Sequence, residues 1–476
     1  MQILDFKRDP KTAETFAKTR ARAVDAEGIA PADSLEAADQ EPPAAPKTTT
    51  EPRAFYDRAA REFLVKNDRG IWLALAESPF KRTLRAAGIS TKIPEGETLS
   101  AADRAILEAQ NRHDVDFAGQ LCGRPEGFFE SGGTRILCTR GIELAEPAPG
   151  SWPTLRAFFE GLLNDPEHAA AQLAVFYGWL RAGQIALRVG KIQASQALAL
   201  AGPPGCGKSL AQAIITILLG GRSAKPIRYL SGATAFNSDL FGAEHLVLED
   251  EFMGRKVADR VKLGASIKNV CVSARSQSCH AKGRQAVNLP AWWRLTISLN
   301  DDAEAMLVLP PLDEHFADKL ILLRAVRFEF LEAMDTAEAQ ENFMQKCKAE
   351  ASAFLHWLLT EFVLPDEFND PRRYGVASWH HPALRSKLDT LSPEADLLAL
   401  ADQVLWADGA DAWRGTSAQL QTLLVNDYST GPGARKLLEF ANACGTFLTR
   451  LAARPSPRVH EARTATRREF VIDRPQ

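Results

Sequence analysis

The sequence predicts an α/β core, a parallel sheet with helices on both faces. A small α+β module precedes it and a winged-helix-like region follows. Three observations carry that prediction. From about Gln196 to Phe330, apolar runs (ALALAG, PIRYLSG, HLVLEDEF, WRLTISLND, KLILLRA) alternate with polar or helical segments such as SLAQAIITILLGG. This is the pattern of βα units whose strands are covered on both sides. A glycine-rich turn joins the first apolar run to an amphipathic stretch, where a strand-to-helix connection belongs. The composition, 476 residues of which 45% are hydrophobic and 25% charged, is that of a globular chain with room for about three domains.

Along the chain, residues 1–52 read as a disordered arm, because the Ala, Pro, Asp, Glu and Thr of Ile29 to Pro52 offer too little apolar surface to offset ordering. Residues 53–150 form the small α+β module. Its AAREFLVKN and GIWLALAES runs alternate about a turn at Asn67, Asp68 and Gly70. SPFKRTLRAAGI has helical spacing with Gly88 as its stop, and two short strands flank Ser131-Gly132-Gly133. Residues 151–192 are a helical connector, with Leu162, Leu163, Leu173, Phe176, Trp179 and Leu180 recurring at three and four. The core spans 193–335, a helical lid or linker 336–380, and the winged-helix-like region 381–476. In the last of these, Leu437 to Leu451 is apolar-periodic, and PSPRVHEARTATRREFVI reads as the wing.

Charge is nearly balanced, 57 basic against 60 acidic residues, for a net −3. The balance conceals asymmetry, since Gly431 to Gln476 holds nine basic and four acidic residues, a net +5. No apolar run reaches the roughly 20 residues a membrane helix needs, and the first ten residues have no signal-peptide pattern. Neither secretion nor membrane insertion is expected. Seven scattered cysteines suggest reduced thiols and a cytoplasmic setting.

Gly202-Pro203-Pro204-Gly205-Cys206-Gly207-Lys208-Ser209 matches the P-loop pattern in the context that motif requires. Its glycines let backbone amides cradle phosphate at a helix N-terminus, Lys208 reaches the β- and γ-phosphates of ATP, and the Ser209 hydroxyl can hold Mg²⁺. Such a loop needs an acidic partner on a neighbouring strand. His245 to Glu251 (HLVLEDE) supplies it: Asp250 for the Mg²⁺ shell, Glu251 as general base, with Glu249 able to replace either. A third strand, Leu295 to Leu299, ends in Asn300, whose amide can hydrogen-bond the γ-phosphate and the attacking water. Between the last two lies SCHAKGRQ, a cationic hairpin tip in which His280, Lys282 and Arg284 can grip phosphates of a DNA strand. In the tail, Arg458, Arg463 and Arg467 are candidates for DNA contact.

P-loop, acidic strand, basic hairpin and strand-ending Asn, in this order from Gly202 to Asn300, resemble the ATPase core of superfamily 3 helicases within the AAA+ class. SGATAFNSDLFGAEHLVLEDE and LTISLNDDAEAMLVLPPLDEHFADKLILL are similar to phage-type primase-helicase proteins. The resemblance implies a hexameric ring acting on single-stranded or forked DNA, a separate primase or replication partner, and a bacterial or phage-infected cell. It also implies an arginine finger, yet Asn300 to Lys319 contains no arginine. Lys319 and Arg324 are the substitutes, with Arg327 a further one.

Other signals are weaker. Asp114 and Asp116 have the spacing of a two-metal site without further acids, so they read as a solvated helix end and no priming is expected. Cys271, Cys279 and His280 fit no usual zinc spacing. Cys206, near a helix N-terminus, reads first as a small tolerated loop residue and second as a thiol of lowered pKa open to alkylation. Two functions compete: a ring-forming DNA helicase or translocase, and a nucleotide-switched DNA-binding assembly protein that does not unwind. A small-molecule kinase is a distant third.

Overall fold

The computed structural model describes residues 54–249, 257–272, 276–313, 316–329, 334–407, 409–453, 457–463 and 467–475. The arm expected over 1–52 lies outside them.

The amino-terminal strands follow the turn chemistry. β1 (Phe55–Asp57), β2 (Glu62–Lys66) and β3 (Trp72–Leu75) are antiparallel. Asn67 Oδ1 accepts the amides of Arg69 and Ile71, and Gly70 takes φ +76°, which closes the β2–β3 turn. Helices Glu77–Ala86 and Ala101–Arg112 follow, the first ending before Gly88 at φ +82°. β4 (Asp114–Val115) joins this sheet beside β1. β5 (Phe117–Gln120), β6 (Gly127–Ser131) and β7 (Thr134–Arg140) make a second sheet, order β5-β7-β6. Asp114 and Asp116 are not solvated as expected. Asp114 pairs with Arg58 (3.1 Å) and Arg135, and Asp116 pairs with Arg58 and accepts the Arg135 amide (2.8 Å).

Helices Pro153–Leu162 and Ala169–Arg188 lead into β8 (Ala197–Ala201), all five residues of which are buried. β9 (Ser223–Ala224), β10 (His245–Glu249), β13 (Arg294–Leu299) and β14 (Leu320–Arg324) complete a fully parallel sheet, order β14-β8-β13-β10-β9. β11 (Ser276–Cys279) and β12 (Val287–Pro290) form a separate antiparallel hairpin between β10 and β13 in sequence. From β8 the chain passes to the far edge, works back through β10 and β13, and crosses β8 to β14. The carboxyl end of β8 is therefore a switch point, where open α/β sheets bind their ligands. The PIRYLSG run is a single helical turn, Ile227–Leu230, rather than a strand: Pro226 cannot donate to a ladder and caps the turn instead.

The helix Ala337–Thr360 packs on the core through Phe343, Cys347, Phe354 and Leu358. Beyond it, helices Pro393–Val404, Ser417–Asn426, Gly431–Leu437 and Ala443–Ala452 enclose their own core with β15 (Ala412–Gly415), β16 (Val459–Arg463) and β17 (Arg468–Asp473). The sheet order is β15-β17-β16. The continuous helix read over Leu437 to Leu451 is interrupted. Asn442 adopts φ +62°, a left-handed conformation that Asn tolerates, and the next helix starts only at Ala443.

Candidate functional site

The P-loop follows β8 at the switch point. An ideal Cβ on Gly202 would lie 2.3 Å from the Ala325 carbonyl oxygen, so only glycine passes between β8 and the end of β14. Gly205 and Gly207 have φ of +72° and +102°, a region L-residues avoid. The helix Lys208–Leu218 starts at once, pointing its N-terminal amides at the loop. Lys208 is buried, and its Nζ donates to the carbonyls of Gly202 and Pro203 (both 2.9 Å) and to Asn300 Oδ1 (3.2 Å). Residues 92 apart in sequence thus meet where β8 and β13 end.

Above the loop lies an open cavity of about 750 Å³, lined by Pro204, Gly205, Gly207, Lys208, Ser209 and Asn300 on one side. Met334, Ala337, Gln340, Glu341 and Met344 line the other. That second wall was not legible in the sequence, because a helix start is amphipathic for many reasons. Arg327 also reaches the loop, donating to Pro204 O at 3.2 Å.

The acidic strand end is visible only to Glu249, which pairs with Lys225 at 2.7 Å; Asp250 and Glu251 lie outside the described residues. Behind it runs a buried polar chain that sequence reading missed. The Gln212 amide donates to Leu248 O (3.1 Å) and Thr296 Oγ1 (2.9 Å). His245 bridges Thr216 Oγ1 (2.7 Å, Nδ1) and Thr296 Oγ1 (2.8 Å, Nε2). Thr216 gives its hydroxyl proton to Gln212 O, so it accepts from His245 Nδ1–H, and Thr296 donates to Nε2. A neutral imidazole satisfies both ring nitrogens and both threonine hydroxyls, and burial pushes the His245 pKa down to about 3.

Cys206 fits the reading as a small loop residue and not the reading as a reactive thiol. Its side chain is buried beneath the loop, and burial raises its pKa rather than lowering it, even with Lys208 Nζ 4.0 Å away. A buried thiol of raised pKa is a poor target for alkylation. All seven cysteines are free and buried; burial pushes Cys271 up to about 12 and Cys279 up to about 11.

At the hairpin tip, Asn237 clamps the turn. Its Oδ1 accepts the His280 amide (2.7 Å), and its own amides donate to His280 O (3.1 Å) and Ser278 O (2.9 Å). Lys282 is exposed beside Gly283 at φ +74°. Arg284 reaches Asp57 of β1 at 3.3 Å. In the tail, Arg458 makes a bidentate pair with Asp402 (3.1 and 2.7 Å) and also donates to Asp473 O, which uses its donors within the fold. Arg463 and Arg467 are exposed.

Lys319 pairs with Asp318, and Arg324 lies 3.2 Å from Asp165 with its amide on Gln172 Oε1 (2.6 Å). Among the described residues no helix is long and apolar enough to cross a membrane.

No family model matches the chain, and no curated protein matches it. Among solved structures, the apo C-terminal region of NrS-1 is 12% identical, with 89% of this chain and 96% of that one covered at a TM-score of 0.51. That likeness shows a shared fold. The active helicase Cch of SCCmec type IV is 12% identical, with 85% of this chain and 70% of that one covered at a TM-score of 0.28. A JCV helicase structure is 14% identical over 48% of this chain and 61% of that one, at 0.24. Those two scores are too low to define a common arrangement.

Proposed function

We propose that this chain is an ATP-hydrolysing DNA helicase or translocase with an AAA+-type core of the superfamily 3 pattern, acting as a hexameric ring in phage or mobile-element replication. The observation that carries the proposal is the meeting of Lys208 and Asn300 at the switch point, over a glycine cradle open to a cavity of nucleotide size. The cradle fits a triphosphate, since its amides and Lys208 supply positive potential and its glycines leave room for the phosphates. Mg²⁺ held by Ser209 and Asp250 would neutralise charge developing on the transferred phosphoryl group. Lys208 and Asn300 fix the γ-phosphate, Glu251 orients water, and Met334 and Met344 offer apolar contact to the base. Lys319 or Arg324 is the residue presented to a neighbouring subunit. The order helix, strand, helices, hairpin in the C-terminal region supports a winged helix, with Arg463 and Arg467 on its wing as DNA contacts. His280, Lys282 and Arg284 track the strand in the channel, and a separate primase or replication protein is the expected partner.

Lys208→Ala tests the first step: ATP turnover is expected to fall by at least about 100-fold, and unchanged turnover would refute the proposal. Lys282→Ala with Arg284→Ala tests the second, with duplex unwinding lost while ATP still binds. The reading as a nucleotide-switched assembly protein that does not unwind is favoured by one observation, that Arg284 at the hairpin tip is paired in cis with Asp57. ATP and DNA binding by the unmodified chain with no duplex unwinding would support it.

A further inference from the structure

Two distant segments meet at the outer edge of β14. On one side, Asp165-Pro166-Glu167-His168 links the helices Pro153–Leu162 and Ala169–Arg188. Asp165 Oδ1 accepts the amides of Glu167 and His168, both at 3.1 Å, which sets the spacing of Asp165 and His168. On the other, Trp379 to His381 run alongside β14. Leu322 N–H donates to Trp379 O (2.9 Å) and His381 N–H to Leu322 O (2.8 Å), which pins His381.

One ligand atom each from Asp165, His168 and His381 lie within 4.8 Å of one another. His381 is only 2% exposed, yet neither of its ring nitrogens makes a hydrogen bond. A buried ring nitrogen without a well-formed hydrogen bond is costly unless something else engages it. Its Nε2 stands 3.1 Å from Asp165 Oδ2. Two ligands of one ion, bound at about 2.0–2.1 Å with a tetrahedral angle, stand about 3.4 Å apart. The spacing is that of two donors aimed at a common centre.

We propose that Asp165, His168 and His381 bind a divalent transition-metal ion of the zinc class, with water completing the shell. This site is separate from the Mg²⁺ of the nucleotide cavity and does not depend on the helicase reading. Arg324 is its competitor, because its guanidinium lies 3.2 Å from the same Asp165 Oδ2. The Arg324 side chain is 40% exposed and can turn outward when an ion takes the carboxylate.

The full chain, stripped with EDTA and dialysed, is titrated with zinc by calorimetry and with Co²⁺ by absorption. One equivalent should bind, with visible d–d bands and no thiolate charge-transfer band. His168→Ala should weaken binding at least about tenfold, and His381→Ala likewise. Arg324→Ala should tighten it several-fold, an effect that a merely structural Asp–Arg pair does not produce. His168 is partly exposed, so its variant keeps the test alive if the His381 variant fails to fold. No stoichiometric uptake by the unmodified chain, or uptake unchanged in the His168 variant, would overturn the proposal.

Discussion

Lys208 shows how a single side chain can be over-determined: burial, two loop carbonyls and Asn300 leave its ammonium one position. His245 is determined the same way by two threonine hydroxyls, and its pH behaviour follows. The folded chain holds it down at about 3 against an ordinary 6.5, and His380 is held at about 4, both chiefly by burial. The unfolded chain binds protons that these rings refuse, so the stability they contribute is complete above pH 6.5 and is lost as pH falls through that window. Each group contributes a slope of up to about 1.4 kcal/mol per pH unit. Urea unfolding at about pH 7.5 and about pH 5 should show a clear loss in the acid, and His245→Asn should shrink that difference. An undiminished difference in the variant would remove His245 from the account.

At the scale of elements, the basic tail divides into arginines that tie its elements together and arginines exposed on its surface. Arg458 ties the start of β16 to Asp402 of the helix Pro393–Val404, and Arg450 ties its own helix to Glu394 (3.1 Å) and Asp313 (3.5 Å). Arg463 and Arg467 flank the β16–β17 connection and face solvent. Under the proposed DNA-binding role, Arg463→Ala and Arg467→Ala should each weaken DNA binding and reduce its salt dependence by about one released counterion. Arg458→Ala should instead cost on the order of 1 kcal/mol of stability, after solvent screening of a partly exposed pair. Fluorescence anisotropy across a salt series and chemical denaturation separate the two outcomes. The β11–β12 hairpin divides in the same way. Asn237 and Asp57 restrain His280 and Arg284, while Lys282 projects from the tip.

For the whole molecule, a ring is the arrangement in which Lys319 or Arg324 could serve a neighbour's nucleotide. Imaging the full chain with a non-hydrolysable ATP analogue and forked DNA should show closed rings with density in the channel; monomers under those conditions would refute the ring. Much of the core was legible in the sequence because its signals are local. A glycine-rich loop must turn between strand and helix, and strands buried on both faces must be continuously apolar. The cationic hairpin and the β2–β3 and β6–β7 turns were likewise readable from short-range chemistry. Long-range partnership was not. Whether Arg458 meets DNA or Asp402, whether Cys206 faces an amide dipole or the core, and whether Arg284 is free or paired with Asp57 depend on residues far away in sequence. The same holds for the second wall of the cavity and for the gathering of Asp165, His168 and His381. A sequence determines backbone preference and periodicity by itself, but desolvation and pairing belong to groups that only the folded chain brings within a few ångströms of each other.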